Sequence, residues 1–132
     1  MTPEQKAQYW INLSDDDLAA AETMVKNRHN LYAGFICQQA VEKMFKGYYA
    51  KTKNDTPPFK HDLKYLADAT GLYDLLDNAQ VSLIKELNPL NIETRYPDYQ
   101  KMIAKRLTDE VTKNIFNQTK EFVQWIKQKI LS

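Results

Sequence analysis

Phe35-Ile36-Cys37-Gln38-Gln39-Ala40-Val41-Glu42-Lys43-Met44-Phe45-Lys46-Gly47 is the stretch whose periodicity decides how this chain folds. Leu31, Phe35, Gln38, Glu42, Phe45 and Tyr49 recur at alternating spacings of four and three, which is one face of a helix. Gln38 and Glu42 stand in the middle of that otherwise apolar stripe. A buried amide or carboxylate costs roughly 1–3 kcal/mol or more when it lacks partners. Either the rest of the chain supplies hydrogen bonds to them, or this face lines a site.

Working outward, this second helix should run from about Leu31 to Lys51. The short polar turn at Asn27 to Asn30 joins it to an antiparallel first helix. Thr2 can cap that helix, with Pro3 in its first turn and Gln5 at the capping-box position, and it should reach about Arg28. Trp10, Leu13, Asp17, Ala21 and Met24 lie along one side of it, so Asp17 repeats the pattern of an acid within an apolar stripe. Lys53-Asn54-Asp55-Thr56-Pro57-Pro58 reads as a loop. A third helix is expected over about His61 to Ala69, stopped by Gly71. A fourth starts near Asp77, is kinked or split at Pro89 and ends near Arg95, because Pro97 disfavours helical geometry at Tyr96. Thr108-Asp109-Glu110 opens the last helix, whose expected buried stripe is Val111, Ile115, Phe122, Ile126 and Ile130, with Trp125 at its edge. The sum is all-α, an antiparallel up-and-down bundle of four main helices plus short extra ones.

Composition agrees. The 132 residues suit one domain, residues 1–132, and only three glycines interrupt segments rich in Ala, Leu, Lys, Glu and Gln. A net charge of +1 excludes a strongly basic nucleic-acid protein but permits a local cationic patch. No apolar run approaches the ~20 residues of a membrane-spanning helix, and the N-terminus lacks the parts of a signal peptide. A cytoplasmic protein with no membrane partner is expected. Cys37 is the sole cysteine and suits a packing role. His29 lies in a polar turn, and two widely separated histidines with one cysteine give a metal site little support. No cofactor is expected.

Three groups of residues have both a structural and a chemical reading. Asp17, Gln38 and Glu42, with Lys43 or His61, form either a buried network that fixes helix packing or a polar wall that binds a nucleotide. Either one of His61 and Asp62 caps a helix start while His61 fills a gap against the bundle, or His61 acts as a general base. Arg95 is either a cation at a helix C-terminus or a phosphate clamp, since guanidinium offers a planar fork of donors matched to phosphate oxygens. Tyr96 and Tyr99 can stack on a base, while Lys101, Lys105 and Arg106 can steer RNA.

Gln-Gln-Ala-Val-Glu-Lys at 38–43 resembles the HEPN family, small helical domains encoded in prokaryotes beside nucleotidyltransferases and found in RNA-directed toxins. Trp10 followed by Asp17-Leu18 and Ala21 looks like the family's first helix. Lys60-His61-Asp62-Leu63 looks like its His-Asp-Leu step, and Arg95-Tyr96-Pro97-Asp98 like its Arg-Tyr-Pro signature. The resemblance implies a bundle, dimerisation that brings two sites together, and a minimal nucleotidyltransferase as partner. The candidate ligand-binding residues are Asp17, Gln38, Glu42, Lys43, Tyr96, Asp98 and Tyr99, with Arg95 and His61 as the candidate catalytic pair. The family's ribonucleases carry an arginine followed after four to six residues by a histidine. Here the arginine is Arg95, and positions 100, 101 and 102 are Gln, Lys and Met. Three readings result. One is a nucleotide- or RNA-binding interaction module of a toxin–antitoxin-like pair. Another is a metal-independent ribonuclease in which Arg95 works with His61 or a tyrosine. A helical structural subunit without a ligand is the third.

Overall fold

The computed structural model describes all of residues 1–132. Helix α1, Pro3–Lys26, begins with the expected capping box: Thr2 Oγ1 accepts from the Gln5 backbone N–H and the Gln5 side chain accepts from the Thr2 N–H. It ends two residues early. Arg28 adopts φ 60°, which breaks the helix before the chain reverses into α2, Asn30–Lys53.

α2 is the axis of the molecule. Residues around nearly its whole circumference are buried, from Ala33 and Gly34 to Gly47 and Ala50, because α1 lies along one side of it and the last helix along another. Glycine permits these close approaches. A Cβ at Gly47 would stand 3.1 Å from Trp10 Cβ and 3.5 Å from the Ala7 carbonyl oxygen. The stripe inferred for α1 is rotated from the real one. Ala7, Ile11, Ser14 and Ala21 are buried, whereas Trp10, Leu13, Asp17 and Met24 are only half-buried along its edge. Ser14 fits the tight contact because its hydroxyl donates to the Ala40 carbonyl at 2.7 Å.

Helix α3, Leu63–Thr70, starts two residues later than expected, since Asp62 is its cap and not part of it. It stops at Gly71 with φ 80°. A single 3-10 turn at Tyr73–Leu75 leads to α4, Asn78–Leu87, which opens on a capping box between Asp77 and Gln80. The expected fourth helix therefore ends at Leu87. Two 3-10 turns come next, Asn88–Leu90 and Ile92–Thr94, and then a helix the sequence reading missed, α5, Pro97–Arg106. Pro97 does disfavour helical geometry at Tyr96, which is extended, but it also occupies the first turn of α5, where its missing N–H costs nothing.

Helix α6, Asp109–Leu131, is capped by Thr108 and runs back along α2 and α1. Its buried face is Thr112, Ile115, Phe116, Thr119, Phe122, Val123, Ile126 and Ile130. Val111 is 38% exposed, so the inferred stripe was one residue off at its start. Lys127 ties α6 to Asp15 of α1 at 2.9 Å. The result is an all-α bundle of three long helices and three short ones. No helix is long and apolar enough to cross a membrane.

Candidate functional site

The polar residues of the α2 stripe are partnered, and their partners lie at the start of α3. The Gln38 side chain is fully buried, and its Nε2 donates to the backbone carbonyl of His61 at 2.9 Å while its Oε1 accepts from Gln39 at 2.7 Å. Glu42, one helical turn on, is 4% exposed. Its Oε1 lies 2.9 Å from His61 Nδ1, and its Oε2 accepts from Lys46 at 3.0 Å. Gln38 thus holds the backbone of residue 61 and Glu42 holds its ring. The carboxylate can be buried because a cation and a ring nitrogen share it. With Nδ1 donating to Glu42, the neutral imidazole leaves Nε2 as its acceptor.

His61 is half-exposed, and the surface it meets is an open cleft of about 430 Å³, within the size range of small-ligand sites. Asp62 lines it on the α3 side. Its carboxylate caps the helix by accepting from the Lys64 and Tyr65 N–H groups, and it also accepts from Asn88 Nδ2 at 3.0 Å. These bonds, the Asn88 amide first, hold the Asp62 carboxyl below its ordinary value of 3.8 against the opposing effect of burial. Asn88 completes the junction by accepting from the Leu63 N–H at 2.9 Å, so the end of α4 is laced to the start of α3.

The rest of the lining comes from the end of α4, the two 3-10 turns and Arg95 just beyond the second of them. Asn91, 6% exposed, faces the cleft, and its Oδ1 has no hydrogen-bond partner within the protein. Arg95 closes the wall in extended conformation. Gln100 donates to its carbonyl at 3.1 Å, and its guanidinium lies 4.9 Å from the centre of the Tyr99 ring. Lys85 is the second cation. Neither Arg95 nor Lys85 is within ion-pair distance of a carboxylate.

Of the residues singled out from sequence, His61 and Arg95 line one cleft although 34 positions separate them in the chain. Gln38 and Glu42 sit behind His61, too deeply buried to touch a ligand. Asp17 and Lys43 pair at 2.6 Å between α1 and α2 and do not line the cleft. Burial raises the Asp17 carboxyl, with the Lys43 bond a partial offset. Tyr96 is 86% exposed beside Arg95, Tyr99 braces Arg95, and Asp98 lies in the first turn of α5. Burial pushes the Cys37 thiol up to about 12, as befits a packing residue. No three His, Cys, Asp or Glu side chains come together.

Sequence reasoning missed Asp62 as a wall residue, along with Lys85, Asn88, Asn91 and Thr94. A signal was available in Asn88-Pro89-Leu90-Asn91, where asparagines flank a helix-breaking proline. Such residues commonly bond across a chain reversal rather than point to solvent.

Fold and cleft together define a small all-helical domain with a polar, net-cationic cleft built against its central helix. The HEPN domain family model matches residues 7–130, nearly the whole chain, and the chain belongs to that family. No curated protein and no solved structure matches it.

Proposed function

We propose that the cleft binds the phosphate of a nucleotide or of single-stranded RNA, with Arg95 as the clamp and His61 and Lys85 beside it. The observation that carries this reading is that Arg95 and Lys85 line one open polar cleft, neither within ion-pair distance of a carboxylate, and outnumber its single acid, Asp62, whose carboxylate is taken up by helix capping and Asn88. An oxyanion is the ligand chemistry that such a pair lacks. Titration of a fluorescent mononucleotide and of short RNAs tests it. Arg95→Ala should weaken binding roughly ten- to a hundredfold, the size of a charge-assisted hydrogen bond. Equal binding by wild type and Arg95→Ala would overturn it.

On this reading the protein is a HEPN interaction module of the cytoplasm, a homodimer that works with a minimal nucleotidyltransferase in a toxin–antitoxin-like pair. Support comes from family membership and from the Gln-Gln-Ala-Val-Glu-Lys and Arg-Tyr-Pro-Asp segments. Co-expression with the product of the adjacent gene tests the pairing. Failure to co-purify with a nucleotidyltransferase encoded there would remove it.

A second reading, metal-independent RNA cleavage, is favoured by the Glu42–His61 contact. His61 Nε2 would take the proton from a ribose 2′-hydroxyl, whose oxygen attacks the adjacent phosphorus to form a 2′,3′-cyclic phosphate as the P–O5′ bond breaks and the 5′-oxygen leaves with a proton from water. Arg95 would neutralise the charge growing on the phosphoryl oxygens. Cleavage assays in chelator discriminate. Loss of activity in both His61→Ala and Arg95→Ala supports catalysis, and no cleavage by wild type leaves the binding module.

A further inference from the structure

Phe59 is the most exposed large apolar side chain of the protein at 93%, and it stands two residues before His61. Its ring meets the His61 ring edge-on, with centroids 6.0 Å apart. Lys46 Nζ, while bonded to Glu42, lies 6.0 Å from the Phe59 centroid and 5.7 Å from that of Trp10. The segment that presents the ring is constrained. Pro57 and Pro58 fix their own φ angles, and the Lys60 N–H donates to the Pro58 carbonyl at 2.9 Å. An aromatic ring is therefore held against His61, which lines the cleft, with almost all of its own surface open to solvent.

Resting on the phosphate reading above, we propose that Phe59 is the base-stacking platform of the site. It receives the base of the nucleotide whose phosphate lies between His61 and Arg95. The arrangement has the two parts that single-strand recognition uses, a cation for the backbone and an aromatic face for the base. Phe59 has no polar group with which to read a base edge. The platform accepts any base and distinguishes a nucleotide from a bare sugar-phosphate.

The test uses the full chain and two probes of equal length, a 2′-O-methyl oligoadenylate, which cannot be cleaved through its 2′-oxygen, and an abasic ribose-phosphate oligomer. Wild type should bind the oligoadenylate roughly 5- to 150-fold more tightly, the span that stacking of one base supplies. Phe59→Ala should reduce oligoadenylate binding to the abasic level and leave the abasic probe unaffected, while Phe59→Trp retains the preference. Arg95→Ala should weaken both probes alike. Equal affinity of wild type and Phe59→Ala for the oligoadenylate overturns the platform and leaves the phosphate reading standing. Absence of binding to either probe by wild type overturns both. A change in sedimentation of Phe59→Ala, with base preference intact, assigns the ring to a protein contact and overturns the proposal.

Discussion

Thr112 is 1% exposed on α6, and its hydroxyl finds no hydrogen-bond partner. A buried unpaired hydroxyl costs roughly 1–3 kcal/mol, so Thr112→Val should stabilise the fold by about 1 kcal/mol, raising the thermal midpoint by roughly 4 °C. Asp62 and Asp17 act in opposite senses on pH dependence. The Asp62 carboxyl titrates lower folded than unfolded, so its ionised form adds stability above 3.8 that is lost as pH falls through the depressed folded value. Asn caps as well as Asp. Asp62→Asn should therefore keep α3 while flattening the acid limb of a denaturation series below 3.8. Asp17 is raised by burial, so the folded state holds its proton longer and stability declines as pH climbs from 3.8 through the raised value. Asp17→Asn, followed by the same denaturant series, should flatten that decline. The sequence pointed to a partly buried Asp17 beside Lys43 and to Asp62 or His61 as a helix cap, but nothing in it marked the unpaired Thr112 hydroxyl. The rotation of α1 that moved Asp17 to the edge depends on Ser14 fitting under α2, a matter of small volume and one hydroxyl.

Glycine supplies the contrast at the scale of elements. Alanine normally favours a helix over glycine by about 1 kcal/mol. At Gly34 the added Cβ would meet the Cδ1 atoms of Leu90 and Leu107 at 3.1 and 3.2 Å, side-chain tips that can swing away. At Gly47 it would meet Trp10 Cβ at 3.1 Å, an atom fixed to the α1 backbone. Urea unfolding should place Gly34→Ala within about 0.5 kcal/mol of wild type and Gly47→Ala about 1 kcal/mol below it. The long helices were legible because their stripes are long and their caps strong, as Thr2 with Gln5 and Thr108 show. α5 was not. One proline both ends a run and begins the next, and Pro97 was assigned only the first role. Exposed Lys101, Met102, Lys105 and Arg106 left α5 with a single buried residue, Ile103, too little for a stripe.

As a whole molecule the protein carries a net charge of +1, so it has little long-range field to draw in an anion. Affinity should rest on the cleft itself. Each phosphate neutralised on a single strand contributes about −0.7 to the slope of log K against log salt, so Lys85 and Arg95 together should give roughly −1.4, and Arg95→Ala about half of that. A much steeper slope would mean that a wider surface is engaged. That His61 and Arg95 share a cleft could not be read from spacing, because it depends on Asn88 lacing α3 to α4 and on the two turns that redirect the chain. Gln38 grips the peptide carbonyl of residue 61 and not its imidazole. A peptide carbonyl is the same whatever side chain its residue bears. Position 61 behaves as a socket whose address is set apart from its occupant: exchanging the histidine leaves the backbone in Gln38's grip, and the newcomer has only to satisfy the Oε1 of Glu42 that the ring now meets.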